Sequence, residues 1–235
     1  MRSCAGPERV CPRTGFELPR MSQERLRQGS GCVPSLCCKT MRDPEVRAQA
    51  VYGLGINGYE AGRAILLRAL KDEDALVRRQ ACEALIRAGV APPVEAIWPL
   101  LGDGDRFVRT AARLVLQRIE PAKWATRLWL EDNDVIVLEA IVALCKLDQA
   151  RAYADQLYTR LARVDGSVDS EHLLDYLRTV QLVLIHGPAH SERVSDLANR
   201  CSRLFPYQDE RVNRELATLL TYFRRERLLQ KQIHA

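Results

Sequence analysis

Apolar residues from position 43 onward follow a helical spacing that repeats along the chain. Three blocks of the form Asp, two variable residues, Val and Arg begin at Asp43, Asp74 and Asp105, 31 residues apart. A related block begins 29 residues later, at Asp134. Small or aliphatic side chains follow seven and eleven residues after each Asp: Ala50, Ala81, Ala112 and Ile141, then Leu54, Leu85, Leu116 and Cys145. These offsets lie on one side of an α-helix, so each block predicts an amphipathic helix.

The first residues of each block predict how its helix begins. An Asp at this position accepts a hydrogen bond from an unpaired backbone N–H and lies at the positive end of the helix dipole. Links that contain Gly or Pro then separate this helix from a second one ending near Leu70, Leu101 or Leu130: Gly55–Gly58, Gly89–Pro93 and Glu120–Pro121. Each unit is therefore a helical hairpin that must stack on its neighbours to bury its apolar side.

The regular repeat covers residues 43–150, and a looser helical pattern continues over 151–223. One helix is predicted to end at His186-Gly187-Pro188, and Asp209 then restores the spacing of the blocks. The charged stretch 224–235 closes a solenoid predicted to span 43–235.

The pattern D-x-x-V-R-x-x-A-x-x-x-L at this period resembles the HEAT-repeat family, in particular the short subtype of phycobilin-lyase-like proteins. The resemblance implies an all-α fold, an α–α superhelix (HEAT-repeat solenoid) of about five helical hairpins. It also implies that the second helix of each hairpin lines the concave side. The fourth block departs from the pattern, because Leu138 stands where an arginine is expected.

A second resemblance concerns Leu204-Phe205-Pro206 and the block that starts at Asp209. These residues are similar to the terminal HEAT segment of large exported planctomycete-type proteins with haem and dehydrogenase domains. The resemblance implies that the chain is a fragment of an exported protein. Taken alone, the sequence lacks an apolar signal region and a membrane span, which predicts a cytoplasmic protein.

The leading segment 1–42 has a different composition from the rest of the chain. Prolines and glycines interrupt it, and no helical or strand periodicity is sustained, so it is predicted to be disordered. It also holds five of the eight cysteines: Cys4, Cys11, Cys32, Cys37 and Cys38. Their spacing lacks the two pairs of a zinc site, so neither a metal nor another cofactor is predicted.

The net charge of +5 arises in this leading segment, because residues 43–235 contain equal numbers of basic and acidic side chains. A nucleic-acid-binding body usually carries excess positive charge, so nucleic acid is not the predicted partner.

Charged pairs that recur once per repeat favour a structural role over a catalytic one. Four residues form the predicted structural ladder: Asp74 with Arg78, and Asp105 with Arg109. An active site is needed only once, and no nucleophile or phosphate-binding motif occurs elsewhere. We therefore predict that the chain is not an enzyme.

The predicted function is a scaffold that binds a protein partner along the second helices. Trp124, Trp98, Arg68 and Arg127 are the candidate binding residues, because aromatic and arginine side chains dominate binding energy at interfaces. In the alternative interpretation, Trp124 packs beneath the chain that follows Ala150. Three alternative functions stay open: tetrapyrrole handling, a haem-linked role through further domains, and a HEAT-like DNA-repair glycosylase.

Overall fold

The structure is a computed structural model that describes residues 42–57, 59–164, 169–187 and 193–233. All regular elements in these ranges are helices. The α-helices are α1 Pro44–Asn57, α2 Tyr59–Ala69, α3 Ala75–Arg87, α4 Val94–Ile97, α5 Arg106–Leu116, α6 Ala125–Leu130, α7 Asp134–Lys146, α8 Ala154–Arg163, α9 Ser170–His186, α10 Arg193–Leu204 and α11 Glu210–Ile233. Two short 3₁₀ helices, Trp98–Gly102 and Pro121–Lys123, precede α5 and α6 respectively.

The helices form two layers along the chain. In the A layer each odd-numbered helix packs on the next one, from α1 through α11. The even-numbered helices form the B layer, in which α8 packs on α10. Five successive hairpins and the final helix α11 thus make an α–α solenoid, which confirms the predicted fold class.

The core lies between the layers and repeats with the sequence. Val77 and Val108, three residues after the capping Asp of α3 and α5, are fully buried, as are Leu85 and Leu116 at offset eleven. Asp74 caps α3 by accepting a hydrogen bond from the Leu76 N–H at 2.8 Å. Asp105 caps α5 in the same way.

The predicted cap of α7 was wrong by one residue. Asn133, not Asp134, caps this helix, and its Oδ1 accepts hydrogen bonds from the N–H groups of Val135 and Ile136. Counted from Asn133, offset seven is Ala140 and offset eleven is Leu144, both fully buried. The fourth unit therefore keeps a small residue at offset seven and a large residue at offset eleven. The distance from Asp105 to its capping residue is one residue shorter than predicted.

The predicted link Gly55–Gly58 is shorter than expected, because α1 continues through Gly55 to Asn57. A Cβ atom added at Gly55 would lie 2.7 Å from the Cα of Ala84. Glycine at this position lets α1 approach α3 closely.

Two predictions about the ends of the chain stay predictions. Residues 1–41, with their five cysteines, lie outside the described residues. The charged stretch 224–235 begins inside α11, whose helix continues to Ile233.

None of the described helices combines the length and the apolarity that a membrane span requires.

Candidate interaction surface

Arginines at offset four join α1 and α3 to the turn before the next A-layer helix. Arg47 Nη2 donates to Asp72 Oδ1 at 2.8 Å. Arg78 binds Asp103 with two hydrogen bonds, from Nε at 2.7 Å and from Nη2 at 3.0 Å. Arg78 also donates to the backbone carbonyls of Asp72 and Glu73 in its own turn. Each guanidinium therefore holds two consecutive turns.

The acidic partners in this ladder differ from those predicted. The carboxylates of Asp74 and Asp105 cap helices, and the arginines instead bind Asp72 and Asp103, two residues before each cap. Of the two predicted pairs, Arg78 therefore bonds to Asp103 instead of Asp74, and Arg109 bonds to backbone carbonyls instead of Asp105. Arg109 donates to the Asp103 carbonyl at 2.9 Å, and its Nε lies 3.7 Å from Glu139 on α7.

Other side chains hold the later turns, where the arginine at offset four is absent. Arg160 from α8 donates to the Glu131 carbonyl at 2.5 Å and lies 3.7 Å from Asp134. Asn213, four residues after Asp209, donates to the Tyr207 carbonyl at 2.6 Å. In both turns the bound carbonyl belongs to the residue two positions before the capping residue, which is Asn133 in the first case and Asp209 in the second.

The ladder shifts the pKa values of its members. Burial acts to raise the pKa of Asp103, but hydrogen bonds from Arg78 and from the Asp105 N–H outweigh it, and the pKa lies below its ordinary value. The hydrogen bond to Asp103 raises the pKa of Arg78. Both groups thus stay charged near neutral pH.

The two candidate tryptophans are not surface residues. Trp124 is 1% exposed and Trp98 is 3% exposed, and their ring centroids lie 6.3 Å apart. The Trp124 indole N–H donates to the Ile119 carbonyl at 3.1 Å, and the Trp98 indole N–H donates to Glu131 Oε2 at 2.6 Å. Neither ring is therefore available to a partner on the surface. The alternative, in which Trp124 packs beneath the chain that follows Ala150, stays a prediction.

The one-residue error at Asn133 explains the misplacement of Trp124. Shifting the count by one residue rotates a position by about 100° around a helix. On a B-layer helix the outward positions lie ten, six and three residues before the cap of the next A-layer helix. Counted from Asn133, they are Lys123, Arg127 and Leu130, and all three are exposed. Trp124 and Leu128 rotate into the core.

The candidate arginines Arg68 and Arg127 are exposed on the B layer. Arg127 lies 3.4 Å from Glu95, and its guanidinium carbon is 5.5 Å from the centroid of the Trp98 ring. No contact joins Arg68 to this group within the described residues, so the structure does not bring the four candidates together.

The A layer presents a row of apolar side chains that the sequence analysis missed. Offsets two, nine and thirteen on its helices point away from the core. We call this surface the outer A face; on α1, α3, α5 and α7 it comprises Glu45, Tyr52, Ile56, Leu76, Glu83, Arg87, Phe107, Leu114, Arg118, Val135, Val142 and Lys146. Its large exposed members are Tyr52 (42%), Ile56 (55%), Leu76 (40%), Phe107 (53%) and Leu114 (45%). The sequence signal that could have revealed this face is the recurrence of large apolar residues at these offsets on α1, α3 and α5.

Arginines connect the exposed rings of the outer A face. The Arg87 guanidinium carbon lies 4.4 Å from the Tyr52 ring centroid, and that of Arg79 lies 5.4 Å from the Phe107 centroid. Glu83 joins the two cations, at 2.7 Å from Arg79 and 3.7 Å from Arg87. Tyr52 on α1 is thus linked through α3 to Phe107 on α5.

A groove of about 270 Å³ continues this face between α7 and α9. Its apolar lining includes Val135, Val142 and Leu182, and its polar lining includes Lys146, His172 and Arg178. Nε2 of His172 is buried and has no hydrogen-bond partner among the described residues.

Glu139 lies in the wall of the groove and is held by two arginines. Its carboxylate is 2.7 Å from Arg113 and 3.7 Å from Arg109. Burial raises the pKa of Glu139 although both guanidinium groups act to lower it. These three side chains join α5 to α7.

The cysteines in the described ranges pack in the core. Burial raises the pKa of Cys82 to about 12 and those of Cys145 and Cys201 to about 11. Their thiols are therefore protonated at neutral pH. No cluster of three or more metal-binding side chains occurs in the part of the chain that the structure describes.

Comparisons with known proteins agree with this architecture in part of the chain. The family model for HEAT repeats matches residues 37–117, a range that contains α1 to α5. No curated protein sequence matches the chain. Among solved structures, an engineered protein is 19% identical, with 83% of this chain and 97% of that chain covered and a TM-score of 0.43. A designed armadillo repeat protein is 14% identical, with 81% and 99% covered and a TM-score of 0.39. The HEAT-repeat match lies in the regular part of the chain, and the two stacked layers identify the fold as a helical-repeat solenoid.

Proposed function

We propose that the chain is a non-catalytic scaffold that binds a protein partner through the outer A face. One observation carries the proposal: exposed apolar side chains occupy the same outward offsets on α1, α3 and α5, where Tyr52, Leu76 and Phe107 are each at least 40% exposed. HEAT-type folds commonly mediate protein interactions, and consecutive repeats present an extended surface for them.

The composition of the outer A face supports this role. Single exposed apolar residues are ordinary on a protein surface, but a contiguous row marks an interaction site. Tyrosine and arginine are enriched among the residues that dominate binding energy. The stacked pairs Arg87–Tyr52 and Arg79–Phe107 supply such residues on neighbouring helices.

The B layer offers less apolar surface in its first three hairpins. Trp98 and Trp124 are buried, and the exposed outward residues are mainly charged, among them Arg68, Glu95 and Arg127. Leu130, which is 77% exposed, is an exception. These residues remain a second candidate surface for the same function.

The groove between α7 and α9 does not favour a tetrapyrrole. Pockets that enclose a drug-sized ligand measure roughly 300–1,000 Å³. A groove of about 270 Å³ fits a single side chain of a protein partner better.

Affinity capture tests the proposal. The full chain and the variant Tyr52→Ala/Phe107→Ala are used to capture partners from native lysate, and the affinity of a captured protein is then measured with each. We expect the variant to bind at least about 30-fold more weakly, because loss of central anchors costs about 2 kcal/mol or more. Its melting temperature should stay nearly unchanged, because exposed substitutions usually change stability by less than about 0.5 kcal/mol.

The variant Arg127→Ala/Leu130→Ala, which removes exposed side chains from the B layer, is the matched control. It should retain the captured partner. Loss of the partner in this variant alone would assign binding to the B layer instead. Failure of the unaltered chain to retain any protein would count against a scaffold function.

A further inference from the structure

We infer that the partner segment bound on the outer A face is acidic and carries large apolar anchor residues. This inference rests on the proposed function and specifies the chemistry of the partner. It follows from the balance of charges around the exposed apolar row.

Cations outnumber acids on this surface. Arg79, Arg87 and Arg106 lie within 5.5 Å of an exposed ring, measured from the guanidinium carbon to the ring centroid. Arg118 and Lys146 occupy offset thirteen and are exposed. The acids on or beside this row are Glu45, Glu83 and Glu139.

Two of these three acids are already paired within the protein. Glu83 is held between Arg79 and Arg87, and Glu139 between Arg109 and Arg113, so each of these two clusters keeps one excess positive charge. The remaining acid, Glu45, lies in the first turn of α1, at the edge of the face. The face therefore presents a positive potential around an apolar row, which complements a negatively charged partner.

The groove between α7 and α9 repeats this combination. Val135, Val142 and Leu182 line it with apolar surface, and the cations Lys146 and Arg178 lie beside the acid Asp175. An aliphatic or aromatic side chain fits this volume, and neighbouring carboxylates of the partner would meet the two cations. The leading segment 1–42 is basic and so has the wrong sign of charge to occupy this face.

A nucleic acid would also be attracted by positive charge, but the observations favour a peptide. Five exposed large apolar side chains lie among the cations, and carboxylates stand within the row. A phosphate backbone gains nothing from aliphatic groups such as Leu76 and Leu114 and is repelled by carboxylates.

Selection from a random library tests the chemistry of the partner directly. The full chain is immobilised and used to select phage that display random 16-residue peptides. We expect the enriched peptides to carry net negative charge and at least two large apolar residues. The best one is synthesised, and its affinity is measured by fluorescence anisotropy at low and high salt.

Two double variants with the same change in net charge locate the binding site. Arg79→Gln/Arg87→Gln removes two cations from the outer A face, and we expect at least tenfold weaker binding and a smaller salt dependence. Arg68→Gln/Lys71→Gln removes two cations from α2 and the residues after it on the B layer, and it should change the affinity by less than about threefold, since exposed charges beyond a Debye length are screened. Thermal melts confirm that both variants fold.

Several results would overturn the inference. Enriched peptides that are neutral or basic would show that the partner is not acidic, and the absence of any enriched peptide would show that such a segment does not suffice. Equal weakening by the two double variants would mean that only overall charge matters. Tighter binding of a 20-nucleotide single-stranded DNA than of the peptide would assign the face to nucleic acid. The proposed function is judged separately, from the captured protein and the Tyr52→Ala/Phe107→Ala variant.

Discussion

An arginine at offset four performs two tasks because of the shape of its donor group. A guanidinium has five N–H donors in a planar fork, enough to bind backbone carbonyls on one side and a carboxylate on the other. Arg78 uses them for the Asp72 and Glu73 carbonyls and for the Asp103 carboxylate. Lysine could not reproduce this two-sided arrangement, which accounts for the arginine at offset four in α1 and α3.

Asp103 should make the stability of the protein depend on pH in the acid range. Its pKa in the folded state is depressed, so its contribution is present above the unfolded pKa of about 3.9 and is lost as pH falls through the lower folded value. We expect Asp103→Asn to lower the free energy of unfolding by about 2 kcal/mol at pH 7, on the scale of a hydrogen bond to a charged group. Below about pH 4 the difference between the two proteins should shrink.

Urea unfolding measured between pH 3 and pH 7 checks this expectation. Asp132→Asn, which changes an exposed carboxylate in the turn before α7, is the control and should track the unaltered chain. A difference between Asp103→Asn and the unaltered chain that stays constant over the whole range would mean that ionisation of Asp103 does not stabilise the fold.

At the scale of the helix, the repeat predicted the existence and order of the elements but not every boundary. Asn133 and Asp134 are both good capping residues, and the arginine that marks the register in three earlier units is replaced by Val137. Only packing decides between them, because capping by Asn133 places Ala140 and Leu144 at the repeat's usual offsets. Because the cap of α7 was assigned one residue too late, the prediction placed Trp124 on the surface, whereas it lies in the core. The outer A face was missed because binding was expected on the second helices alone.

Two glycines in α1 should respond oppositely to the same substitution. Gly55→Ala brings a Cβ atom within 2.7 Å of the Ala84 backbone, so we expect α1 and α3 to move apart at a cost of about 1–3 kcal/mol. Gly53→Ala meets nothing within 4 Å and replaces a poor helix former, so it should stabilise the protein by about 0.5–1 kcal/mol.

Chemical denaturation of both variants measures the contrast. Because the two positions are two residues apart in one helix, differences in helix propensity or in the unfolded state affect both alike. Equal effects of the two substitutions would show that α1 and α3 do not approach each other closely at Gly55.

At the scale of the whole molecule, contacts run mainly between neighbours along the solenoid. Each A-layer helix packs on the A-layer helices before and after it, and the ladder joins consecutive turns only. Stability in such a protein approximates a sum of unit and interface contributions. The sequence predicted this architecture from its period. It could not predict that Arg160 holds a later turn, because this residue lies outside the pattern, or that Asn213 replaces the arginine at offset four.

Loss of one ladder arginine should therefore weaken a region rather than the whole chain. Arg78→Ala removes the cation that donates hydrogen bonds to Asp103, and breaking a largely buried pair costs about 3 kcal/mol. Hydrogen exchange followed by mass spectrometry should show protection reduced by roughly 100-fold in α3 and α5, which the arginine joins, and nearly unchanged in α9 and α10. Arg118→Ala, which removes an exposed arginine just after α5, should leave exchange unchanged throughout. A uniform loss of protection from α1 to α11 in Arg78→Ala would mean that the solenoid unfolds as one cooperative unit, and that its repeats are not energetically separable.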